Sequence, residues 1–273
     1  MQKKHTDTIE CGEMKKDRWI EDENFLNLGE RLEYEAARRN DPEELSYGRP
    51  DPLLVASRHQ DERIALVCAL FGYGSAKQIV RFLDGFDFTL LNDNEERIRR
   101  ELRGMKYRFQ TPEDVTALFI ALRRLGEEGS IEETVMKGYS RRGEIRDGLW
   151  ELIDRLESLY PRRNRGYRFL IGSVPENPDR CAPFKRYMMY FRWMVRCDAL
   201  DMGLWRGIDP ADLIIPLDTH THRVALSLGL LTRRSYDMRS ALELTERLRA
   251  FDPADPVKYD FALYRLGQEG VIG

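Results

Sequence analysis

Three side chains suited to acid–base chemistry or metal binding lie within five residues of one another in this chain. The segment IIPLDTHTHRVALSLGLL, residues 214–231, contains Asp218, His220 and His222 between two apolar flanks. Carboxylate and imidazole groups bind zinc and iron in many proteins. On a helix, however, residues two apart point about 200° away from each other, so the two histidines would diverge. We therefore expect no metal site, and a metal hydrolase built on these residues stays an alternative.

The same segment fits the start of a helix. Pro216 precedes the start, Asp218 is the predicted N-cap, and Thr219 and Thr221 add side-chain oxygens beside the free backbone N–H groups. The partial positive charge of a helix N-terminus attracts a carboxylate, and its N–H groups can also bind a phosphate. The cap alone explains the pattern, and a catalytic carboxylate with a neighbouring phosphate site explains it equally well.

The elements around this segment are predicted to be helices throughout. Apolar residues recur at helical spacing along most of the chain, and no alternating strand of five or more residues is found. The clearest predicted helix has Thr111 as its cap and Pro112 in its first turn, and we expect Gly126 to end it. Asp61 is a second predicted cap. The pattern predicts an all-α protein.

Composition limits the class of protein and its location. The 273 residues carry a net charge of −3, which argues against a uniformly basic surface but allows a local basic face. Residues 1–22 are polar and aperiodic, so we expect a disordered or frayed start without a secretory signal. No apolar run is long enough to span a membrane, and the four cysteines form no C-x-x-C pair. A cytoplasmic protein is predicted.

The Asp218 segment resembles a known family. It is similar to the Pro-x-Asp-Thr-His … Arg-Val … Arg-Leu-Gly-Leu segment of the helix-hairpin-helix DNA glycosylase superfamily, of the endonuclease III type. The matching residues are Pro216, Asp218, Thr219, His220, Arg223, Val224, Leu228, Gly229 and Leu230. This resemblance implies a single two-lobed helical domain over residues 23–273. It also implies that Asp218 is the catalytic carboxylate, with His220, Thr221 and Arg223 near DNA phosphates.

A lysine nucleophile is the second feature that the resemblance implies. Bifunctional members attack C1′ of the sugar with a lysine amine, form a Schiff base and cleave the strand by β-elimination. The Gly-rich hairpin and the lysine of the endonuclease III pattern are absent here. Lys185, 33 residues before Asp218 in FKRYMMYFRWMVR, instead resembles the lysine of the archaeal 8-oxoguanine DNA glycosylases. We expect Pro183 in the first turn of that helix; for Lys185 itself, a phosphate contact or a surface role is the alternative.

Further contacts with DNA are expected from several other residues. Aromatic and polar side chains near two helix ends are candidates for the base pocket, and basic side chains near Lys185 and in the loop YPRRNRGYRFLIGS are candidates for phosphate binding. The candidate pocket residues are Tyr73, Ser75, Gln78, Trp193 and Asp260, and the candidate phosphate-binding residues are Arg186, Arg162, Arg163 and Arg165. Trp193 can equally be a core residue, and Asp260 can instead pair with Arg265.

The function expected from these residues is DNA repair. The resemblance implies a glycosylase with a degenerate helix-hairpin-helix that removes a damaged base, with 8-oxoguanine as the best candidate, and that has Schiff-base AP-lyase activity. Its partner would be double-stranded DNA with a damaged base or abasic site; no cofactor is expected, and the protein would be a monomer associated with the nucleoid when bound to DNA. The alternative is a non-catalytic protein that retains this fold and binds nucleic-acid structure. Much of the chain is also typical of a bacterial family of this length, and that likeness implies no activity.

Overall fold

Helices make up all the regular secondary structure in the part of the chain that the structure describes. The computed structural model describes residues 23–161, 164–178 and 180–268. These residues contain thirteen α-helices, five short 3-10 helices and three isolated β-bridges, without a β-strand. The all-α prediction is confirmed. The expected frayed start, residues 1–22, lies outside the described residues.

The α-helices follow one another with short connections. Their bounds are α1 (Glu23–Arg39), α2 (Leu53–Ala56), α3 (Glu62–Leu70), α4 (Ala76–Leu83), α5 (Glu95–Glu101), α6 (Pro112–Glu128), α7 (Ile131–Tyr139), α8 (Ile145–Leu159), α9 (Arg165–Ile171), α10 (Lys185–Val195), α11 (Thr219–Ser227), α12 (Met238–Arg249) and α13 (Asp260–Gln268). The 3-10 helices are Pro42–Glu44, Phe88–Asn92, Leu102–Gly104, Pro210–Asp212 and Pro256–Tyr259. None of the described helices combines the length and the apolar character needed to cross a membrane.

Side-chain caps explain where the predicted helices begin. The Thr111 side chain accepts from the backbone N–H of Asp114, whose carboxylate accepts in return from the N–H of Thr111 at 2.8 Å. This reciprocal pair satisfies two of the donors that a helix start leaves free. Asp61 accepts from the N–H groups of Arg63 and Ile64. Both predicted caps are confirmed.

The prediction that Gly126 ends α6 is wrong. The helix continues to Glu128 and ends at Gly129, whose φ of 154° is a conformation that favours glycine. Gly126 lies inside the helix against Arg63, and a Cβ at this position would lie 2.8 Å from the Arg63 guanidinium. The glycine leaves room for the end of the Arg63 side chain, a tertiary contact that sequence pattern does not distinguish from a helix stop.

The helices pack in two groups that meet at α3 and α10. In the first, which we call the α6 group, α6 packs against α5, α8 and α9, and α7 packs against α8. In the second, the α13 group, α13 packs against α1 and α11, and α12 packs against Pro256–Tyr259. Helix α10 packs against α3 and is buried from Tyr187 to Val195. This buried helix places its first residue, Lys185, between the two groups.

One half-buried carboxylate joins three segments that lie far apart in the chain. Glu62, in the first turn of α3, accepts from the backbone N–H groups of Ile131 and Glu132 at 2.7 and 3.1 Å. It also accepts from the indole N–H of Trp205 at 2.8 Å. These bonds satisfy free donors at the start of α7 and fix the segment that follows α10.

Candidate functional site

A large cleft opens where the starts of α10 and α11 face the segment after α3. Its volume is about 1290 Å³, and both Lys185 and Asp218 line it. Arg168, Phe169 and Tyr73 contribute to its walls from α9 and from the α3–α4 connection. The two residues that the sequence singles out for catalysis therefore share one cleft, although 33 residues separate them along the chain.

The turn before Lys185 has an unusual backbone. Phe184, the N-cap of α10, adopts the left-handed conformation with φ 48° and ψ 40°, which is rare for a residue with a bulky side chain. Its ring packs edge-on against Trp150, with centroids 5.1 Å apart, and lies close to Gly172. Packing thus offsets the backbone strain and makes Lys185 the first residue of the helix. The expectation that Pro183 lies in the first turn is wrong, since it precedes the cap.

The amine of Lys185 is half-buried and lacks a carboxylate partner. Its Nζ lies 3.5 Å from the Met189 sulfur. No carboxylate of the described residues lies within 4.0 Å of this amine, whereas most described arginines form ion pairs. The amine is therefore not held in an ion pair that would compete with a reaction in the cleft.

Asp218 is held at the start of α11 by backbone donors. Its Oδ1 accepts from the N–H groups of His220 and Thr221 at 2.8 and 2.7 Å. The predicted cap is confirmed. Because these bonds use one oxygen, they fix the position of the carboxylate and leave the other oxygen available to the cleft. The helix dipole attracts negative charge at this point.

A small recess lies behind the two residues. It has a volume of about 20 Å³, and Lys185, Asp218, Trp193, Thr221 and Asp260 are among the residues that line it. A volume of this size holds about one water molecule. Lys185 and Asp218 thus line both the cleft and this smaller recess.

Asp260 ends a buried chain of ion pairs that leads away from the recess. Arg192 pairs with Asp260 and, at 3.1 Å, with Asp201. Arg196 pairs with Asp201 in turn and reaches Asp255 at 2.9 Å. Burial raises the pKa of Asp260 to about 6, although the charges of Arg192 and Lys185 act against this rise. The chain is buried at its inner end and partly exposed at Asp255.

The alternative in which Asp260 pairs with Arg265 is wrong. Arg265 lies over the Phe261 ring and near Glu44, with 3.3 Å between its Nε and the carboxylate. Asp260 begins α13 and faces α10 instead, where it meets Arg192.

The residues expected near phosphates from α11 divide into two environments. His220 and Arg223 are exposed on the cleft, and the Arg223 guanidinium lies 2.9 Å from Nδ1 of His220. Thr221 is only 1 % exposed and lines the recess rather than the cleft. Two of the three side chains are thus placed to meet a ligand in the cleft.

The arginine loop is described only in part. Arg162 and Arg163 lie outside the described residues. Arg165 is exposed at the start of α9 and is not among the residues that line the cleft, whereas Arg168, one turn later, is. Among the described basic side chains of this segment, Arg168 therefore meets the cleft, one turn after the predicted Arg165.

Arg186 is held by backbone and aromatic contacts. Its guanidinium donates to the carbonyl oxygens of Leu70 and Phe169. It lies 5.5 Å from the ring centre of Tyr73 and 4.8 Å from that of Phe169, and burial lowers its pKa. These contacts join α10 to α3 and α9, so much of its hydrogen-bonding capacity stabilises the wall of the cleft.

The predicted base-pocket residues do not form one group. Tyr73 lines the cleft and is half-buried. Ser75 and Gln78 are exposed at the start of α4 and are not among the residues that line the cleft. Trp193 is fully buried in the core, and both it and Asp260 reach only the recess.

Several cleft residues carry no signal in the sequence. Tyr236 and Tyr264 line the cleft, and the Tyr236 hydroxyl donates to the carbonyl of Leu217, directly before Asp218. Burial raises the pKa of both phenols to about 12. Asp51 lies beside them at the start of the segment that leads into α2. Their positions depend on tertiary packing, and no local motif surrounds them.

The three residues considered for a metal site are separated by the helix that bears them. His220 is exposed on the cleft, whereas His222 is buried, with its Nε2 3.3 Å from the carbonyl oxygen of Arg233. Among the described residues, no group of three His, Cys, Asp or Glu side chains is placed to hold a metal ion.

Comparison with known proteins places the chain in a family. The family model described as "Protein of unknown function (DUF2400)" matches residues 51–269. The chain belongs to the DUF2400 family. The matched range contains the cleft, the recess and the ion-pair chain, and α1 precedes it. Searches of curated proteins and of solved structures gave no significant match.

Proposed function

We propose that this DUF2400 protein is a DNA-repair glycosylase that removes a damaged base, with 8-oxoguanine as the best candidate, and has AP-lyase activity. The observation that carries the proposal is the position of Lys185 and Asp218 at two helix starts on one cleft. An amine without an ion-pair partner, on the same cleft as a fixed carboxylate, is the arrangement that lysine-mediated glycosidic cleavage requires.

The reaction assigns a separate role to each residue. The neutral amine of Lys185 attacks C1′ as the glycosidic bond breaks, and the base leaves with the bonding electron pair and takes up a proton. The carboxylate of Asp218 stabilises the positive charge that develops on the sugar. The sugar ring then opens to a Schiff base, and loss of a C2′ proton expels the 3′ phosphate. These steps use no metal or organic cofactor.

The walls of the cleft suit double-stranded DNA that carries a damaged base or an abasic site. Exposed Arg223 and Arg168 supply positive charge, the His220 ring adds a polar contact, and the N-terminus of α10 adds backbone donors for phosphate. Phe109 and Phe169, 51 % and 41 % exposed, pack together with ring centres 4.7 Å apart and offer an apolar face to bases. In this proposal the α6 and α13 groups are the two lobes of a glycosylase-like domain that acts as a monomer, and the segment that ends at Pro183 and Phe184 is a degenerate helix-hairpin-helix.

Borohydride trapping on defined duplexes tests the proposal. Duplex DNA with 8-oxoguanine or an abasic site is incubated with wild type, Lys185→Ala and Asp218→Asn under borohydride. Wild type should form a covalent complex and release the base, Lys185→Ala should form none, and Asp218→Asn should be slower by about 100-fold or more. Lys137→Ala, an exposed lysine on α7, is the matched control and should behave as wild type.

The other outcomes separate the alternatives. Trapping by Lys185→Ala at the wild-type rate would mean that another amine is the nucleophile. If wild type binds abasic DNA but neither traps it nor releases a base, the protein is a non-catalytic binder of nucleic-acid structure.

A further inference from the structure

The recess beside Lys185 has the size and the lining of a site for one ordered water molecule. Its volume is about 20 Å³, and a single water needs roughly 10–15 Å³ together with two to four polar partners. Lys185, Asp218 and Asp260 all line it. Because these polar side chains come from α10, α11 and α13, the recess lies where three helices meet.

Trp193 gives a second, independent sign of a ligand in the recess. Its side chain is fully buried and lines the recess, and its indole N–H has no hydrogen-bond acceptor among the described residues. Buried donors in folded proteins are nearly always paired with protein or with ordered water. A water in the recess would accept this hydrogen bond.

Asp260 is the candidate proton acceptor on the far side of the recess. Arg192 and Lys185 approach its carboxylate from α10, Asp218 approaches from α11, and Tyr264 lies one turn further along its own helix. Burial raises the pKa of Asp260 to about 6, so at neutral pH it is ionised and binds a proton more tightly than an ordinary aspartate. Asp51, before α2, is a further acidic group that lines the recess.

We propose that the recess holds one water, hydrogen-bonded to the indole of Trp193, which passes the proton lost by the Lys185 ammonium to the carboxylate of Asp260. This inference rests on Lys185 as the nucleophile of the proposed function. The transfer converts an ammonium and a carboxylate into an amine and a carboxylic acid, restores the water and needs no other reactant. Asp218, with one oxygen held by two backbone donors, is left to stabilise the sugar.

Two rates measured on the same variants test the proton acceptor. The first is single-turnover borohydride trapping on abasic DNA. The second is acetylation of the Lys185 amine by acetic anhydride in the DNA-free protein, followed across pH by mass spectrometry of its peptide. In Asp260→Asn, loss of a nearby negative charge should raise acetylation at a given pH by at least about twofold. Trapping should fall by about 100-fold, because the acceptor is gone.

The opposite directions of the two effects separate proton transfer from other roles. If both rates rise in Asp260→Asn, Asp260 acts only through its charge. If both rates fall together, the role of Asp260 is structural. Either result overturns the inference. Asp255→Asn, at the outer end of the same ion-pair chain, is the matched control and should leave both rates within about twofold of wild type.

The water itself is tested without any DNA. A high-resolution crystal structure should show one water within hydrogen-bonding distance of the Trp193 indole nitrogen, and Trp193→Phe should lose it and trap about tenfold more slowly. An empty recess in wild type overturns the inference whatever the trapping result. A wild type that holds the water but never traps DNA contradicts the proposed function instead.

Discussion

Asp260 binds protons more tightly in the folded protein than in the unfolded chain. Burial raises its pKa from 3.8 to about 6. A carboxylate of this kind contributes most to stability when it is protonated, so its contribution is fully present below the unfolded pKa and is lost as the pH rises through about 6. Asp237 is the opposite case, because its hydrogen bond to Arg233 lowers its pKa. Its contribution is present above the unfolded pKa and is lost as the pH falls.

The raised pKa of Asp260 predicts that the effect of Asp260→Asn on the free energy of unfolding depends on pH. Whatever its offset from wild type at pH 4, the variant should gain roughly 2 kcal/mol in relative free energy of unfolding by pH 7, since asparagine does not titrate. Urea unfolding of both proteins across this range measures the effect. Asp237→Asn, as the control, should keep a nearly constant offset from wild type over the same range, because the Asp237 contribution is lost only at lower pH. A flat difference between Asp260→Asn and wild type would mean that Asp260 has an ordinary pKa.

Sequence identifies the residues that carry a local signature and misses those that do not. Asp218 begins a helix within a recognisable motif, and Lys185 lies at a characteristic spacing from it. Arg192, by contrast, meets Asp260 across 68 residues, and neither residue lies in a pattern that indicates the other. The left-handed turn at Phe184 could not be predicted either, because it depends on packing against a ring from α8.

Asp218 caps α11 and is also the proposed catalytic carboxylate, and substitution can separate these two roles. Asparagine caps a helix about as well as aspartate, whereas alanine costs about 1 kcal/mol. Asp218→Asn should therefore have nearly the stability of wild type but much slower trapping. Asp218→Ala should be less stable by about 1 kcal/mol and should also trap much more slowly. Denaturant unfolding and trapping on the same preparations check this.

The start of α12 offers the matched control for that experiment. Asp237 caps α12 by accepting from the N–H of Ser240, as Asp218 does on α11, and it is not among the residues that line the cleft. Asp237→Ala should destabilise the protein by a similar amount and leave trapping per folded molecule unchanged. If Asp218→Asn proves as unstable as Asp218→Ala, the cap explains the aspartate and the catalytic role loses its support.

At the scale of elements, sequence predicts helix starts better than helix ends. Caps such as Thr111 and Asp61 act through hydrogen bonds to residues two or three positions away, so the sequence contains the whole interaction. Gly126 is set by contact with Arg63, a residue on another helix. The physical reason for a glycine therefore lies outside the segment in which it occurs.

Helix α1 lies before the residues that the family model matches, and it packs closely against the α13 group. Leu32 is fully buried between α1 and the rest of the α13 group, and Glu33 bonds Lys258 and Tyr259. A Cβ at Gly29 would lie 2.7 Å from the Phe251 ring, which indicates how closely this helix packs. Helix α1 thus packs on α13 and on the 3-10 helix Pro256–Tyr259.

Leu32→Ala should destabilise the protein without affecting the cleft. Removing a fully buried leucine side chain costs about 3 kcal/mol, whereas Leu26→Ala, on the same helix but 52 % exposed, should cost less than about 0.5 kcal/mol. Thermal or urea unfolding measures both changes. Trapping per folded molecule should equal that of wild type in each. A Leu32→Ala protein as stable as wild type would show that α1 is not part of the folded core.

Glu62 has a consequence for the order in which the chain folds. Its bonds to Ile131 and to Trp205 span 69 and 143 residues, so they form only after most of the intervening helices are in place. Contacts between such distant segments carry a high entropic cost of loop closure, and we expect these to form after the transition state of folding. Interactions of that kind hardly alter how fast a protein folds and mainly slow its unfolding. We therefore expect the bonds of Glu62 to slow unfolding and so to lengthen the lifetime of the native state, in which the cleft is formed.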